Sequence, residues 1–562
     1  MSVSLRAYAV IFSLSLLSFS MYAQEKKEPE ERSVVVPEEK STPLPKIDLP
    51  EFLITGQEAI DLPTTSKAAA EEDKIYVPGA PSPGRKDVKI DQAQKPETDL
   101  STPTGQMNGR VLAGIGMFTS PTLEGWFGKN YDQGGILFHA DYASSEGYVT
   151  NANWQKTGVG LSGNFLPPLN SGLLAGSRVT GGLSFSGNTY RAFGSTVDPS
   201  QVRTFDNVRL NLGLASSIAA VGVLDAPVDY SAGIVWSGTS LDDSADASEN
   251  DFGVTALASS EKWETPLHGS FEYLTSAVTM PFAGNAASHS PQWFALKISG
   301  ERMIAPDFQL SLALQQYLYR GSFSATAGRF MPAMEFRYFA TKVSTFFLSF
   351  QPGVDRNTLA SLTTANNYVL NRVVIQPTEI PVSLAFGSDL AIDENLRGRA
   401  SVSYRTNQDF PYFLELNSAK VWDVVYLPKV SVTEADIEGS YQLSSASSAV
   451  LSASFNSTLA QDSANSVPNI PALSFSGIYR RSIDQGINIE GYARYMSKRW
   501  TNFAHSASNA GFIDIGLKGE YQFLENLRGV LAVDNLLSQH YYLWDGYLEQ
   551  PAYISFSVTY KW

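Results

Sequence analysis

Residues 553–562 read "YISFSVTYKW". Ile554, Phe556, Val558, Tyr560 and Trp562 are apolar or aromatic, and Ser555, Ser557, Thr559 and Lys561 between them are polar. Side chains on a strand alternate with period two, so this segment has one dry face and one wet face. In a soluble sandwich the dry face packs on a second sheet. In a transmembrane barrel it meets lipid, and the wet face lines a polar lumen.

The pattern recurs from about residue 107 to the end. In "FIDIGLKGEYQF" (512–523), Ile513, Ile515, Leu517, Tyr521 and Phe523 oppose Asp514, Lys518, Glu520 and Gln522. In "LRGRASVSYR" (396–405), Leu396, Ala400, Val402 and Tyr404 oppose Arg397, Arg399, Ser401, Ser403 and Arg405. In "VRLNLGL" (208–214), Val208, Leu210, Leu212 and Leu214 oppose Arg209, Asn211 and Gly213. The polar faces carry charges of both signs, as a hydrated lumen allows. With 562 residues, 12% aromatics and a mean hydropathy of −0.11, the chain is too polar for a helical membrane protein and too long for one sandwich.

Connections alternate between tight and loose. Reading back from the end, "FLEN" (523–526) is tight and "TNFAHSASNA" (501–510) loose; "SIDQG" (482–486) is tight and "AQDSANSVPN" (460–469) loose. Tight segments continue at "SSASS" (444–448), "IDEN" (392–395), "TKVS" (341–344) and "APD" (305–307). Short turns at one end and long loops at the other are the asymmetry of outer-membrane barrels. The fold expected is all-β, a transmembrane antiparallel β-barrel of about 22 strands over residues 107–562, preceded by a disordered periplasmic tail.

Residues 1–23, "MSVSLRAYAVIFSLSLLSFSMYA", read as a signal peptide: Arg6 is its charge, Ala9 to Ser20 its apolar core, Ala23 its small residue before the cut. That run is short for a bilayer span. The sequence has no Cys, which rules out disulfides and a Cys-borne lipid anchor. A formal charge of −15 argues against a nucleic-acid partner. The expected location is the outer membrane of a Gram-negative-type cell, in contact with its lipid. Residues 24–106 are rich in Glu, Lys and Pro and lack the apolar content to fold. One patch stands apart there, "IDLPEFLITGQEAIDLP" (47–63), in which Phe52, Leu53, Ile54 and Thr55 form a β-prone segment suited to strand addition on a periplasmic partner.

The segments "VSVTEADIEGSYQLS" (430–444), "INIEGYARYMSKRWTNFA" (487–504) and 512–562 resemble the last strands of TonB-dependent receptors. The turn Asn535-Leu536-Leu537, the pair Tyr541-Tyr542, the Gly546-Tyr547 loop and the aromatic-ended last strand carry the likeness. The resemblance implies that Ile554, Phe556, Val558, Tyr560 and Trp562 form the strand read by the barrel-assembly machinery, closing on the first strand. It implies uptake of a small solute, and it likens "PEFLITG" (50–56) to a coupling box for a TonB-like protein. The family also carries a folded plug between box and barrel. Here only some fifty Pro-, Lys- and Glu-rich residues lie between them, too few and too polar to fold as one. A plug or energy coupling would then come from a partner. The alternative function is an outer-membrane scaffold whose tail recruits periplasmic proteins.

The five His (His139, His268, His289, His505, His540) have no metal-ligand spacing, and no Ser/His/Asn or Asp/His constellation marks a catalytic centre, so neither enzyme nor cofactor is expected. Arg209, Arg397, Arg399, Arg405, Arg494, Lys518 and Arg528 are the expected lumen-lining charges, paired with Glu490, Asp514, Glu520 and Asp534 or attracting anionic solutes. Trp500, Trp544 and Trp562 read as interface girdle. Tyr541, Tyr542, Trp544 and Tyr547 together are the candidate extracellular-loop ligand contacts.

Overall fold

The computed structural model describes residues 107–562, apart from 169–173, 217–219, 222–226, 244–245, 263–264, 283–284, 392–394, 462, 464 and 484–485. The signal peptide, the tail and the 47–63 patch lie outside the described residues.

Twenty-two antiparallel strands form one closed barrel. The last strand, Tyr553–Lys561, pairs on one side with Leu527–Asp534 and on the other with the first strand, Met107–Gly116. Arg110 lies opposite Lys561, and Gly116 opposite Ser555. Gly109 and Trp562 exchange backbone hydrogen bonds of 3.1 and 3.0 Å. Gly109 leaves the space that the Trp562 indole occupies, since a Cβ there would overlap it. The ring therefore has no unpaired edge.

Strand alternation sorts the side chains as the sequence predicts. Ile554, Phe556, Tyr560 and Trp562 are exposed on the outside, as are Leu161, Leu212, Ile298, Phe330, Phe386, Ile437 and Leu517 around the ring. That apolar belt is what lipid would cover. The opposite face is polar and charged. Two-residue turns join strands at the end that carries the first strand's start: Tyr131 pairs with Gly134, Ala305 with Phe308, Thr341 with Ser344, Ser444 with Ser447, and Leu524 with Leu527. The other end bears the long connections, at 192–201, 351–377, 409–429, 461–472, 497–511 and 535–552.

These long connections contain structure that strand periodicity does not announce. Segment 351–377 holds a helix, Leu359–Ala365, capped by Thr358, whose hydroxyl accepts from the Ser361 N–H while the Ser361 hydroxyl accepts from the Thr358 N–H. Segment 409–429 is a hairpin, Phe410–Glu415 with Trp422–Leu427. Asn417 and Ser418 at its tip have left-handed φ of 47° and 57°, and the Ala419 N–H closes the turn on the Leu416 carbonyl at 2.7 Å.

Candidate functional site

The long connections fold together across the barrel mouth. Their shared core comprises Leu359, Leu362, Val369, Val373 and Ile375 from 351–377, Phe413, Trp422 and Val424 from the hairpin, and Trp544 and Tyr547 from 535–552. Ala247, Val278 and Met280 reach it from the tops of barrel strands. Trp422 and Tyr547 are each 1% exposed. Rings continue outward from there: Tyr368 stacks on Tyr547 with centroids 3.4 Å apart, Phe193 meets both edge-on, and Trp544 sits edge-on between Phe413 and Trp422. Such packing excludes water as a domain core does.

Polar contacts fix the connections to one another. The Thr196 N–H donates to the Ala419 carbonyl at 3.1 Å, and the Thr196 hydroxyl to the Ser418 carbonyl at 3.1 Å. Residue 196 lies between the fifth and sixth barrel strands and residue 419 between the fifteenth and sixteenth. In a ring of twenty-two these are nearly opposite, so the contact crosses the mouth. Arg203 donates to the carbonyls of Asn367 (3.1 Å) and Val369, and pairs with Asp243 at 3.5 Å; both side chains are buried. Tyr190 donates to the Asn367 carbonyl at 2.6 Å. Glu249, itself buried, accepts the first N–H of the helix, that of Leu359, at 2.6 Å. Lys420 bridges Asp545 at 2.5 Å and Glu415 at 3.2 Å.

Beneath 535–552 lies a charged base. Arg499 donates to the carbonyls of Leu543 (2.8 Å) and Tyr542. Burial lowers its guanidinium to about 10. Burial likewise pushes the Glu549 carboxyl up to about 7, against the pull of Arg494 and Arg499. The Tyr547 and Tyr368 hydroxyls are raised by burial too.

Of the aromatics singled out in the sequence, Tyr541, Trp544 and Tyr547 are buried in packed clusters and Tyr542 is exposed. Trp544 is in the cap core rather than in an interface girdle. Trp500 stacks on His505 at 4.6 Å within a loop, and Trp562 faces outward at the seam. A loop aromatic reads alike in sequence whether it faces lipid, ligand or another loop; only long-range contacts decide. Trp422, Phe413, Tyr368, Arg203, Lys420 and Glu549 also belong to this cap, and local sequence pattern does not mark them. The one local signal of the cap is "FPYFLELNSAKVWDVVYLP" (410–428), two β-prone runs around a turn.

Most of the expected lumen charges are paired. Arg494 meets Asp514 at 2.9 Å, Lys518 and Arg528 share Glu520 at 2.9 and 3.3 Å, Arg405 meets Glu434 at 3.6 Å, and Arg399 meets Asp389 at 3.8 Å. Glu490 pairs instead with Arg480, and Asp534 accepts from the Tyr492 hydroxyl. Arg397 shares the inward face of its strand with Arg399 and Arg405, opposite Ser440. Arg209 lies between Ser184 and Ser237. Among the described residues no group of three His, Asp or Glu is placed to hold a metal ion.

No protein-family model matches the chain, and no curated protein does. Solved structures do. The ferric-catecholate import receptor Fiu from E. coli K12 superposes with a TM-score of 0.63 at 12% identity, over 82% of each chain. The FrpB iron transporter from Neisseria meningitidis gives 0.64 at 10% identity, over 82% of this chain and 83% of that one. The siderophore receptor PiuA from Acinetobacter baumannii gives 0.61 at 9%, over 81% and 82%. At such identities the likeness shows the fold. This is a closed 22-stranded transmembrane β-barrel of the kind TonB-dependent receptors have, as the segments 430–444, 487–504 and 512–562 led us to expect.

Proposed function

We propose that the chain is an outer-membrane transport barrel whose lumen passes a small solute, and that the folded cap is its gate. The cap carries this reading. A ring of twenty-two strands encloses a lumen wide enough to leak, and such barrels are ordinarily plugged. Here the loop end is closed by a packed core of the chain's own connections. Below it the inward-facing Ser184, Ser186 and Asn211 are exposed, so the wall at mid-height is solvated. The similar structures are those of a ferric-catecholate import receptor, a siderophore receptor and an iron transporter. In this reading the loop end is extracellular, Trp562 and its strand are what the assembly machinery recognises, and the 47–63 patch docks a TonB-like or plug-bearing periplasmic partner.

The test is planar-bilayer conductance of the mature chain, beside a variant with the hairpin 410–427 replaced by a short linker. The intact protein should be nearly silent and the hairpin-excised barrel should conduct as a wide pore. A wide pore in the intact protein would show that the cap is no gate. Silence from both would end the transport reading and favour a membrane scaffold, for which a sealed mouth is equally suitable.

A further inference from the structure

The lumen wall is electrostatically uneven. Around most of it, inward cations sit on carboxylates, as Arg480 does on Glu490 at 2.7 Å. Three neighbouring strands differ: Trp154–Phe165, Ser177–Arg191 and Val202–Ser216. Their outward faces carry Val159, Leu161, Leu183, Phe185, Leu210 and Leu212, all exposed. Alternation therefore turns Lys156, Arg178 and Arg209 inward, one on each strand. Among the described residues none of the three has an ion pair or a side-chain hydrogen bond; Lys156 only rests over the Trp154 ring at 5.6 Å. Two inward carboxylates flank the three cations without pairing with them, and the Asp141 side chain lies over Gly158, two residues from Lys156. Asp141 lies 3.6 Å from His139, and Asp229 accepts from the Ser216 hydroxyl at 3.2 Å.

Between these cations the inward residues are small and neutral: Gly160, Ser162, Gly182, Ser184, Ser186 and Asn211. Arg209 is level with Ser184, and Lys156 with Asn188. Projected on the strand Ser177–Arg191, the charges stand at positions 178, 184 and 188. At about 3.3 Å per residue the gaps are about 20 and about 13 Å. The screening length at 0.1 M salt is about 10 Å, so at lower salt the three fields overlap into one positive track.

We infer that this wall is an anion path, and that the solute is a small oxyanion or carboxylate handed between Lys156, Arg209 and Arg178; the inference rests on the transport reading. Each station offers charge-assisted donors that no carboxylate occupies, and the glycines and serines between them leave room for the solute and its water. Several weak stations suit passage better than one tight site, since a solute must leave as readily as it enters.

Two measurements test it, using inorganic phosphate and potassium chloride as probes. The full chain should bind phosphate saturably at low salt. The triple variant Lys156→Gln/Arg178→Gln/Arg209→Gln should bind at least about fivefold more weakly. The charge-neutral control Arg480→Gln/Glu490→Gln should bind as wild type. In a salt gradient the hairpin-excised barrel should pass chloride over potassium by about threefold, falling to about one in the triple variant. Heat-modifiable migration on gels verifies that each variant is a folded barrel. Absence of phosphate binding by the full chain, or binding and selectivity indifferent to the triple variant, overturns the inference. If the hairpin-excised barrel is silent while phosphate binding still follows the three cations, the transport reading fails and the anion wall stands.

Discussion

The ammonium of Lys420 lies 2.5 Å from the Asp545 carboxylate, joining the hairpin 410–427 to the last loop before the closing strand. One further contact secures the same junction, the Tyr547 hydroxyl donating to the Lys420 carbonyl at 2.9 Å, and within the hairpin Lys420 also reaches Glu415. The pair is partly exposed, so its loss costs at most about 1 kcal/mol. It joins two connections whose paired residues are 125 positions apart in the chain. Lys420→Met or Asp545→Asn is therefore expected to leave barrel stability unchanged while raising single-channel opening several-fold. Unchanged opening would show that the aromatic core alone keeps the cap shut.

Arg203 is expected to matter more. It is 2% exposed, paired with buried Asp243, and the only donor to the Val369 carbonyl among the described contacts. Arg203→Met removes the cation paired with Asp243 and the donor to the Val369 carbonyl, while Tyr190 still donates to the Asn367 carbonyl, at a cost of about 3–5 kcal/mol borne by the cap. Limited proteolysis should then cleave within 351–377, with the strands still protected.

The cap should loosen with rising pH. Burial holds the Glu549 carboxyl at about 7, above the ordinary 4.5, while Arg494 and Arg499 pull it down and Asp514 pushes it up. A raised folded value means the neutral acid fits the closed cap better than the anion. The stabilisation is fully present below 4.5 and is lost as pH rises through about 7. Tyr148 and Tyr541, also beside this carboxyl, stay protonated throughout that range, their hydroxyls raised by burial. Conductance should thus be lower at pH 5 than at pH 8, and Glu549→Gln should hold the cap closed at both. A wild-type profile that is flat or inverted contradicts this assignment.

Gly546 turns the short hairpin between Tyr542–Trp544 and Tyr547–Leu548 with φ of +89°, and a Cβ there would stand 3.0 Å from the Gly194 carbonyl and from Lys420. Gly546→Ala should cost more than about 1 kcal/mol, from strain and from lost approach between the loops. Increased protease access at 192–201 and 535–552 is the readout.

Phe556 and Asn211 test the two faces of the wall. Phe556→Arg puts a charge on the lipid side and should cost about 2–4 kcal/mol of barrel stability. Asn211→Lys, on the solvated inner side, should change it by no more than about 0.5 kcal/mol.

What the sequence disclosed follows from the range of the interactions involved. Alternation is a property of adjacent residues, so the faces of 396–405, 512–523 and 553–562 were legible, as were tight turns such as 525–526 and, through them, the strand count. The cap was not. Its defining contacts join Tyr190 to Asn367, Thr196 to Ala419 and Lys420 to Asp545, and nothing local distinguishes Trp544 buried in such a core from Trp544 at a membrane surface. Arg209 was legible as an inward charge. That it lacks a partner while Arg494 and Arg528 have one depends on which strands stand beside it, and so is Lys156's and Arg178's kinship with it.

The hydrogen bond from Thr196 to Ala419 also orders events in time. It cannot form until every strand between the two loops has been placed and the ring has curved far enough to bring its opposite sides together. Consolidation of the aromatic core, which also draws on Trp544 and Tyr547, is consequently a late step of maturation. A chain stalled before that step would display Trp422, Trp544 and Tyr547 unburied, a sticky surface that distinguishes unfinished molecules from finished ones and exposes them to quality-control proteases.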